Sequence, residues 1–209
     1  EERALNSIDE IVPEALTDYF SIGNEQEKKK PTSSLNKRSP LPHQKEALEA
    51  WEKQGYKGIF EHATGSGKTF TALIALKEHL AEDGVAIVLV PDRLLHKQWA
   101  KEIKEEIPQV TILKAGDGHN RWRKNRRLQH FTQQGEGFGQ RIVLVTMGTA
   151  YKSELLDAIS DGDHLMVVAD EVHEIGSNDN SKALTIKAGK KLGLSATPVR
   201  YNDPIGTKK

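Results

Sequence analysis

The sequence of 209 residues contains no cysteine. Disulfide bonds, thiol catalysis and thiolate-bound metal sites are therefore excluded for this chain. Its longest uninterrupted apolar stretch is 85–90, whereas a membrane-spanning helix needs about 20 residues. The first residues, Glu-Glu-Arg-Ala-Leu, contain no apolar segment of the kind found in signal peptides. We therefore expect an intracellular, cytoplasmic protein that has no membrane partner.

An excess of charge of one sign is also absent, because 30 lysine and arginine residues balance 30 aspartate and glutamate residues. This balance excludes a uniformly cationic protein of the kind that packs nucleic acid, but it permits a local basic surface. One basic segment is present, since no acidic residue lies between Asp117 and Glu136 and five basic side chains surround Trp122. The five are Arg121, Arg123, Lys124, Arg126 and Arg127.

Two interpretations of this basic segment are open. Arg121, Arg123 and their basic neighbours could pair with backbone phosphates in a salt-dependent way, while Trp122 stacks on a base. Alternatively, the segment is a solvated helix whose inward edge is formed by Leu128 and Phe131. The sequence favours neither interpretation over the other.

Residues 1–40 differ in composition from the remainder of the chain. An amphipathic pattern over 8–20 predicts a short helix that begins near Pro13. Residues 21–40 are rich in Lys, Ser, Asn and Pro and offer little to bury, which is typical of a linker. We therefore predict an N-terminal extension and linker over 1–40 and one folded domain over 41–209.

From residue 41 onward, amphipathic segments of helix length alternate with short apolar segments. Helices are predicted over 44–54, over 70–80 and around 155–159. A further helix is predicted to begin after Asp92, which would cap it. Strands are predicted over 57–62, 85–90, 110–113, 141–146, 165–169 and 191–194. Apolar strands separated by helices are typical of an α/β fold whose mostly parallel sheet is covered on both faces. Ligands bind such sheets beyond the C-terminal ends of the strands, so the residues there are the candidates for chemistry.

The segment Ala-Thr-Gly-Ser-Gly-Lys-Thr over 63–69 lies between a predicted strand and a predicted helix. Its glycines allow backbone N–H groups to turn inward, and the helix N-terminus adds partial positive charge. Lys68 would reach the β- and γ-phosphates, and the Thr69 hydroxyl would bind Mg²⁺. His62 replaces the first glycine of the strict phosphate-loop pattern, while Phe70 excludes a dinucleotide fingerprint. The residues predicted to bind the nucleotide here are Thr64, Gly65, Ser66, Gly67, Lys68 and Thr69.

The predicted strand at 165–169 is followed by the acidic pair Asp170 and Glu171. An aspartate beside a phosphate loop can hold Mg²⁺, and the adjacent glutamate can orient and deprotonate the attacking water. Alone, the pair could be an ordinary acidic turn. Together with Lys68 it favours metal-assisted phosphate hydrolysis. His173 has no second histidine at the spacing of a helical zinc site.

A third segment, Gly-Leu-Ser-Ala-Thr-Pro over 193–198, again follows a predicted strand. In this order the three segments resemble motifs I, II and III of the first RecA-like domain of a superfamily 2 helicase. The Asp-Glu-Val-His sequence over 170–173 is similar to the branch that contains type III restriction subunits and XPB-like repair translocases. Glu-His-Ala over 61–63 resembles the entry to motif I in that branch. The resemblance covers about 41–200.

The resemblance implies a RecA-like phosphate-loop NTPase fold, with ATP and Mg²⁺ as cofactors. Its catalytic residues would be Lys68, Asp170, Glu171 and His173. Thr69 and Asp170 would bind the metal ion. His173 would relay the state of the nucleotide to Ser195 and Thr197.

Other positions resemble further parts of the family pattern. Gln44 is similar to the glutamine that contacts adenine, a base whose edge an amide can match by donating and accepting together. Residues 89–99 resemble motif Ia, which meets the nucleic-acid backbone, with Arg93 and His96 as candidate contacts. Residues 145–147 resemble motif Ib, with Thr146 as a candidate phosphate contact.

These features predict the N-terminal ATP-binding domain of an ATP-dependent DNA helicase or translocase, with a restriction, defence or repair system as its setting. DNA is a more expected partner than RNA. An RNA-remodelling ATPase and an ATP-gated nucleic-acid-binding switch that does not unwind are the alternatives. Family members close the site with a second RecA-like domain that supplies arginine fingers. Because the sequence stops soon after the third segment, we expect that domain in the same parent chain and only very slow hydrolysis by this fragment.

Overall fold

A computed structural model describes residues 38–61, 63, 65–135, 137–172 and 180–196, and for 180, 181 and 184 it describes the backbone alone. The described residues from Pro40 onward belong to one compact unit. The helix predicted over 8–20, and the linker as far as residue 37, lie outside the described residues. Both stay predictions, as does the domain boundary at residue 40.

In this part of the chain six strands form one sheet in the order β1-β6-β5-β2-β4-β3, and every pairing is parallel. The strands are β1 (Lys57–Glu61), β2 (Val85–Val90), β3 (Thr111–Ala115), β4 (Arg141–Thr146), β5 (Gly162–Ala169) and β6 (Ala188–Ser195). The α-helices are α1 (Pro42–Lys53), α2 (Lys68–Ala81), α3 (Arg93–Glu106), α4 (Arg127–Thr132), α5 (Met147–Ala150) and α6 (Ser153–Leu156). Two 3₁₀ helices span Arg121–Arg126 and Asn180–Thr185. The predicted fold class is confirmed.

The central strands β2 and β4 have the predicted bounds and are buried along their whole length. A strand covered on both faces needs apolar residues at successive positions, which is why an apolar run marks both of its ends. Strand β6 begins at Ala188, three residues earlier than predicted. The prediction missed Ala188, Gly189 and Lys190 because they form no apolar run. Pairing with β5 extends this strand where the side-chain pattern does not.

Helix α3 follows the sequence prediction closely at its start. Asp92 is its N-cap, and the carboxylate oxygen Oδ1 accepts hydrogen bonds from the backbone N–H groups of Leu94 at 2.7 Å and Leu95 at 2.9 Å. These bonds satisfy donors that the first turn of a helix otherwise leaves unpaired. Trp99 and Ile103 face the core from this helix and are fully buried. The helix predicted around 155–159 is shorter than expected, since it ends at Leu156.

All strands point the same way, so their C-terminal ends lie along one edge of the sheet. At this edge Glu61 of β1 is in register with Ser195 of β6, and Gly193 of β6 is in register with Ala169 of β5. The three predicted motifs therefore emerge from three neighbouring strands. On the other side of β5, Val90 of β2 is in register with Thr146 of β4.

Candidate functional site

The loop between β1 and α2 has the backbone conformation of the predicted phosphate loop. Gly65 and Gly67 have φ values of 80° and 85°, in the left-handed region that glycine adopts without steric cost. A Cβ atom on Gly67 would also lie 2.5 Å from Nε2 of Gln44. Glycine at position 67 is thus required twice, by its φ angle and by the close approach of a neighbouring side chain.

Helix α2 begins at Lys68, two residues before the predicted start. Its first-turn N–H groups therefore adjoin the loop, where the helix dipole favours an anion. The Lys68 side chain is 9% exposed, and its Nζ donates to the carbonyl oxygen of Ala63 at 3.5 Å. The ammonium group thus lies across the loop. Thr69 occupies the first turn of the same helix and is half-buried.

Gln44 holds the other side of the loop. Its Nε2 donates to the carbonyl oxygens of Ser66 at 3.2 Å and Gly67 at 3.4 Å. Its Oε1 accepts from the backbone N–H of Leu41 at 3.0 Å, at the start of α1. The amide that sequence resemblance assigns to adenine is therefore paired within the protein, where it ties α1 to the phosphate loop. Contact with adenine stays a prediction.

Asp170 follows β5 directly and is only 6% exposed. Its backbone N–H donates to the carbonyl oxygen of Leu89 at 2.9 Å. The carboxylate oxygen Oδ1 accepts from the N–H of Glu171 at 3.0 Å, and Oδ2 accepts from Nε1 of Trp99 at 2.7 Å. Both carboxylate oxygens thus have a fixed donor, as a buried anion requires.

Glu171, the next residue, has a φ value of 48°. A side chain with a Cβ atom adopts this left-handed conformation at a steric cost, and such backbone strain is concentrated at functional sites. The Glu171 side chain is half-buried. The chain therefore turns directly after Asp170.

Ser195 ends β6, the strand that separates β1 from β5, and is fully buried. Gly193 precedes it, and a Cβ atom there would lie 3.1 Å from Cγ1 of Ile59 and 3.4 Å from the Val172 side chain. Strand β6 is therefore packed tightly between the strand of the phosphate loop and the strand of the acidic pair. The structure brings Lys68, Asp170, Glu171 and Ser195 to one edge of the sheet.

Several predicted site residues lie outside the described residues. They are Thr64, His173 and Thr197. Their predicted roles in phosphate binding, catalysis and coupling stay predictions.

The groups that can hold a metal ion at this edge are oxygen donors. Asp170 presents a buried carboxylate, and Thr69 presents a hydroxyl in the first turn of α2. Mg²⁺ prefers oxygen ligands and keeps several waters, so one carboxylate and one hydroxyl beside a phosphate chain fit it. Within the described ranges no group of three or more His, Asp or Glu side chains could bind a metal by itself. The donor set therefore suits a metal that arrives with a nucleotide.

The predicted nucleic-acid contacts lie along the same edge, past β2 and β4. Arg93 begins α3, is 70% exposed, and its Nε lies 3.2 Å from Oδ2 of Asp117. Thr146 ends β4, is mostly buried, and its Oγ1 lies 3.4 Å from Oγ1 of Thr149. Arg93 is thus presented to solvent, while the Thr146 hydroxyl is engaged inside the protein.

The loop over 116–120 rests on these two motifs. Gly116 approaches the hydroxyl groups of Thr146 and Thr149 too closely for a Cβ atom to fit. The ring of His119 stacks on that of His96, with 5.6 Å between ring centroids. His96 is fully buried and its Nε2 pairs with the carbonyl oxygen of Leu144 at 3.1 Å, and burial lowers its pKa. The prediction that His96 contacts nucleic acid is therefore wrong.

Trp122, in the 3₁₀ helix that follows this loop, is 2% exposed. The guanidinium of Arg123 lies over its ring, 4.3 Å from the centroid. The prediction that Trp122 stacks on a base is therefore wrong, because the ring is covered on all sides. Leu128 and Phe131 are also buried, as the helix interpretation of this segment requires.

The basic side chains around Trp122 point outward. Arg123 pairs with Oε1 of Glu154 at 2.8 Å, and Arg126 donates to Oε1 of Gln129 at 2.7 Å. Among the described residues, the side chains of Arg121 and Lys124 have no ion-pair or hydrogen-bond partner, and both residues are exposed. The segment therefore combines a buried aromatic ring, Trp122, with the exposed, unpaired side chains of Arg121 and Lys124.

Sequence reasoning missed the contact between Trp99 and Asp170. Trp99 lies within the segment that resembles motif Ia, but no acceptor for its indole N–H was predicted. A buried indole N–H normally has one, and this was the signal available in the sequence. The identity of the acceptor was not, because 71 positions separate the two residues.

No described helix is long and apolar enough to cross a membrane.

Comparison with known proteins supports the arrangement described above. Residues 37–200 match the family described as "Type III restriction enzyme, res subunit". A putative DNA 3'-5' helicase Rad25 of Halobacterium salinarum is 28% identical over 177 residues, which cover 79% of this chain and 26% of that protein. The ATP-dependent DNA helicase Hel308 of Pyrococcus horikoshii is 30% identical over 166 residues, covering 75% of this chain and 21% of that one.

Among solved structures, a nuclease-deletion mutant of the Type ISP restriction-modification enzyme LlaGI, in complex with a DNA substrate mimic, superimposes with a TM-score of 0.61. It is 20% identical, and the match covers 79% of this chain and 18% of that one. This likeness supports the fold. The chain spans about a quarter or less of the relatives and the structure named here. With a family match that covers most of its length, including the phosphate loop and the acidic strand end, the chain belongs to the family of the type III restriction enzyme res subunit.

Proposed function

We propose that this chain is the N-terminal ATP-binding domain of an ATP-dependent DNA helicase or translocase. The observation that carries the proposal is the meeting of three segments on the neighbouring strands β1, β6 and β5. They supply a phosphate loop, a buried aspartate followed by a strained glutamate, and a buried serine between them. Nothing in a simple strand-to-helix turn requires these features together.

The proposed chemistry assigns a role to each group. Backbone N–H groups of the loop and Lys68 hold the triphosphate. Thr69 and Asp170 hold Mg²⁺, which when bound neutralises charge on the β- and γ-phosphates. Glu171 accepts a proton from the water that attacks the γ-phosphate. Gln44 contacts adenine, and His173 passes the state of the nucleotide to Ser195 and Thr197.

DNA is the proposed partner. The names of the Rad25 and Hel308 relatives describe DNA helicases, and the LlaGI structure holds a DNA substrate mimic. In this chain Arg93, Arg121 and Lys124 are exposed along or beside one edge of the sheet. Exposed cations suit a phosphate backbone, whose contacts carry most of the salt-dependent affinity. A cytoplasmic location is also part of the proposal.

A second RecA-like domain completes the proposed enzyme. The relatives are several times longer than the matched region, which leaves room in them for further domains. That domain would supply arginine fingers and the other half of the DNA track. We therefore expect the chain of 209 residues alone to bind ATP weakly and to hydrolyse it very slowly, since an arginine finger contributes about 10³ to 10⁵ in rate.

The test uses the full-length protein that contains this chain. ATP hydrolysis is measured with no nucleic acid, with duplex DNA and with duplex RNA, and movement is measured by displacement of a third strand from a DNA triplex. We expect stimulation by DNA and displacement that requires ATP. The variant Glu171→Gln should lose hydrolysis by at least about 100-fold while retaining ATP binding, because it keeps the size of the side chain and loses only the base.

Four results would contradict the proposal in distinguishable ways. Stimulation by RNA alone would make the protein an RNA-remodelling ATPase. Nucleotide-dependent DNA binding with neither displacement nor strand separation would make it a switch. Full hydrolysis by Glu171→Gln would remove the assigned base, and turnover by the isolated chain near the full-length rate would remove the need for a second domain.

A further inference from the structure

We infer that Trp99 is a positioning residue for ATP hydrolysis, and that its indole N–H holds the Asp170 carboxylate in the orientation that binds Mg²⁺. The inference rests on the proposed function, since it assumes that Asp170 is the metal-binding carboxylate. It assigns to motif Ia a part in the nucleotide site, in addition to its predicted contact with the nucleic-acid backbone.

The contact is short and fully enclosed. Nε1 of Trp99 lies 2.7 Å from Oδ2 of Asp170, the tryptophan is 0% exposed and the aspartate is 6% exposed. Hydrogen bonds to an ionised acceptor are shorter and stronger than neutral ones, and more so where water is excluded. The bond therefore has more influence on the carboxylate than a surface contact would have.

The other donor to this carboxylate cannot fix its orientation alone. Oδ1 accepts from the N–H of Glu171, the adjacent residue, so that bond connects the carboxylate only to its own turn of the chain. Trp99 belongs to a separate helix, so its bond connects the carboxylate to a second element of the fold. With both donors in place, one hydrogen bond to Oδ2 still leaves a lone pair for a metal ion or its water.

The helix that carries Trp99 is itself fixed at several points. Asp92 caps its first turn, His96 pairs with the carbonyl oxygen of Leu144 in β4, and Ile103 is fully buried. The helix is therefore fixed both before and after Trp99, which holds the indole in place. A rigid donor is what a preorganised metal ligand needs, because its orientation is then set before the nucleotide binds.

The chain contains two matched control residues for this bond. Trp51 is also buried, and its Nε1 donates to the carbonyl oxygen of Lys191 at 3.0 Å, away from the acidic pair. Trp122 is buried too, and its Nε1 has no partner among the described residues. Phenylalanine at each position removes the same indole N–H group. At Trp99 the lost acceptor is a carboxylate, at Trp51 it is a neutral carbonyl, and at Trp122 no acceptor is described.

The experiment measures ADP affinity by calorimetry for the full-length protein, once with excess Mg²⁺ and once with EDTA. The ratio of the two affinities is the metal-dependent gain. Trp99→Phe should reduce this gain by about tenfold, the order expected for loss of one hydrogen bond to a charged group. Its affinity in EDTA should equal that of the unchanged protein, and saturating Mg²⁺ should restore kcat. Trp51→Phe and Trp122→Phe should keep the full gain.

The outcomes separate this inference from the proposed function. Asp170→Asn must abolish the metal-dependent gain if Asp170 binds Mg²⁺ at all. If it does not, the assumed metal site is wrong and the inference is overturned with it. If Asp170→Asn abolishes the gain but Trp99→Phe keeps it, the proposed site stands and Trp99 only fills space. A Trp99→Phe protein that loses affinity equally with and without metal would also overturn the positioning role. Should it fail to fold, Trp99→His, whose ring can present an N–H group, must retain more of the gain than Trp99→Leu.

Discussion

Two groups of strands form the C-terminal edge of this sheet, and the side chains at their ends differ in burial and pairing. Across β1, β6 and β5 the polar groups are buried and paired, as Gln44 is with the phosphate loop and Asp170 with Trp99. At the ends of β2, β4 and β3 the charged side chains are exposed. Internal contacts, such as the ring stack of His96 and His119, hold the backbone that carries them.

The difference reflects the size of the partner that each half suits. A small, highly charged ligand requires donors that are in place before it arrives, so their positions are fixed by internal hydrogen bonds. A long polyanion is bound through many weak contacts, so exposed cations require only a rigid backbone beneath them. Helix α3 joins the two halves, because Arg93 lies in its first turn and Trp99 lies further along it.

The largest effect is expected from Gly67→Ala, which breaks the buried half. Left-handed backbone costs a residue with a Cβ atom about 1–2 kcal/mol, and the new atom would also lie 2.5 Å from Nε2 of Gln44. We expect the free energy of unfolding without nucleotide, measured in urea, to fall by more than the backbone cost alone.

Gly65→Ala is the matched control for that change. Gly65 has a similar φ value of 80°, but a Cβ atom there meets nothing within 4 Å. It should therefore show the backbone cost without the clash, and Gln44→Ala should relieve the excess at Gly67. Equal losses for the two alanine variants would show that the close approach of Gln44 has no energetic role.

A smaller effect is expected in the exposed half from Arg121→Ala and Lys124→Ala. Each should weaken binding of duplex DNA by the full-length protein several-fold at low salt, and each should reduce the slope of log affinity against log salt concentration by about one. The measurement is a salt titration by fluorescence anisotropy. Lys53→Ala is the control, because Lys53 is exposed at the end of α1 and precedes β1, at the opposite edge of the sheet. An unchanged slope for both variants would leave the segment as a solvated surface.

The smallest effect is a loss of stability in mild acid. Burial lowers the pKa of His96, and burial together with the nearby Lys190 lowers the pKa of His79. In an unfolded chain histidine titrates near pH 6.5, so below that pH the unfolded state binds protons before the folded state does. The free energy of unfolding should therefore fall as pH drops below about 6.5, and level off once the folded state is also protonated.

Urea unfolding between pH 7.5 and 5 measures this loss. His79→Gln should flatten the curve, since one of the two buried rings no longer titrates. His130→Gln, at an exposed position on α4, should leave the shape of the curve as it was. A curve of unchanged shape for His79→Gln would show that protonation of this ring does not drive the loss.

The sequence was most informative where one physical requirement determines the residues. Buried strands require apolar runs, so β2 and β4 were predicted to their ends. A phosphate loop requires glycine at fixed positions, so Gly65 and Gly67 were identified with it. The family match then confirmed the resemblance that these motifs indicated.

It was least informative where the partner of a side chain is set by the tertiary fold. Trp122 is surrounded in sequence by cations, which suggested a surface, yet its ring is buried and only its neighbours reach solvent. The bond from Trp99 to Asp170 joins residues that local pattern cannot relate. Strand β6 begins at Ala188 without an apolar pattern, because its pairing with β5, and not its own apolar content, holds that end in place.

The position of β6 has a consequence for the order of assembly. Strand β1, which leads into the phosphate loop, pairs within the described sheet only with β6, and β6 is the last of the six strands to be synthesised. Until it inserts, the strand of the phosphate loop and the strand of the acidic pair have no structural connection through the sheet. Such long-range pairing is slow to form, since a long loop must close first. A nascent chain that ends before residue 188 thus carries both halves of the nucleotide site without the strand that joins them, and the site is completed as a unit by one late step.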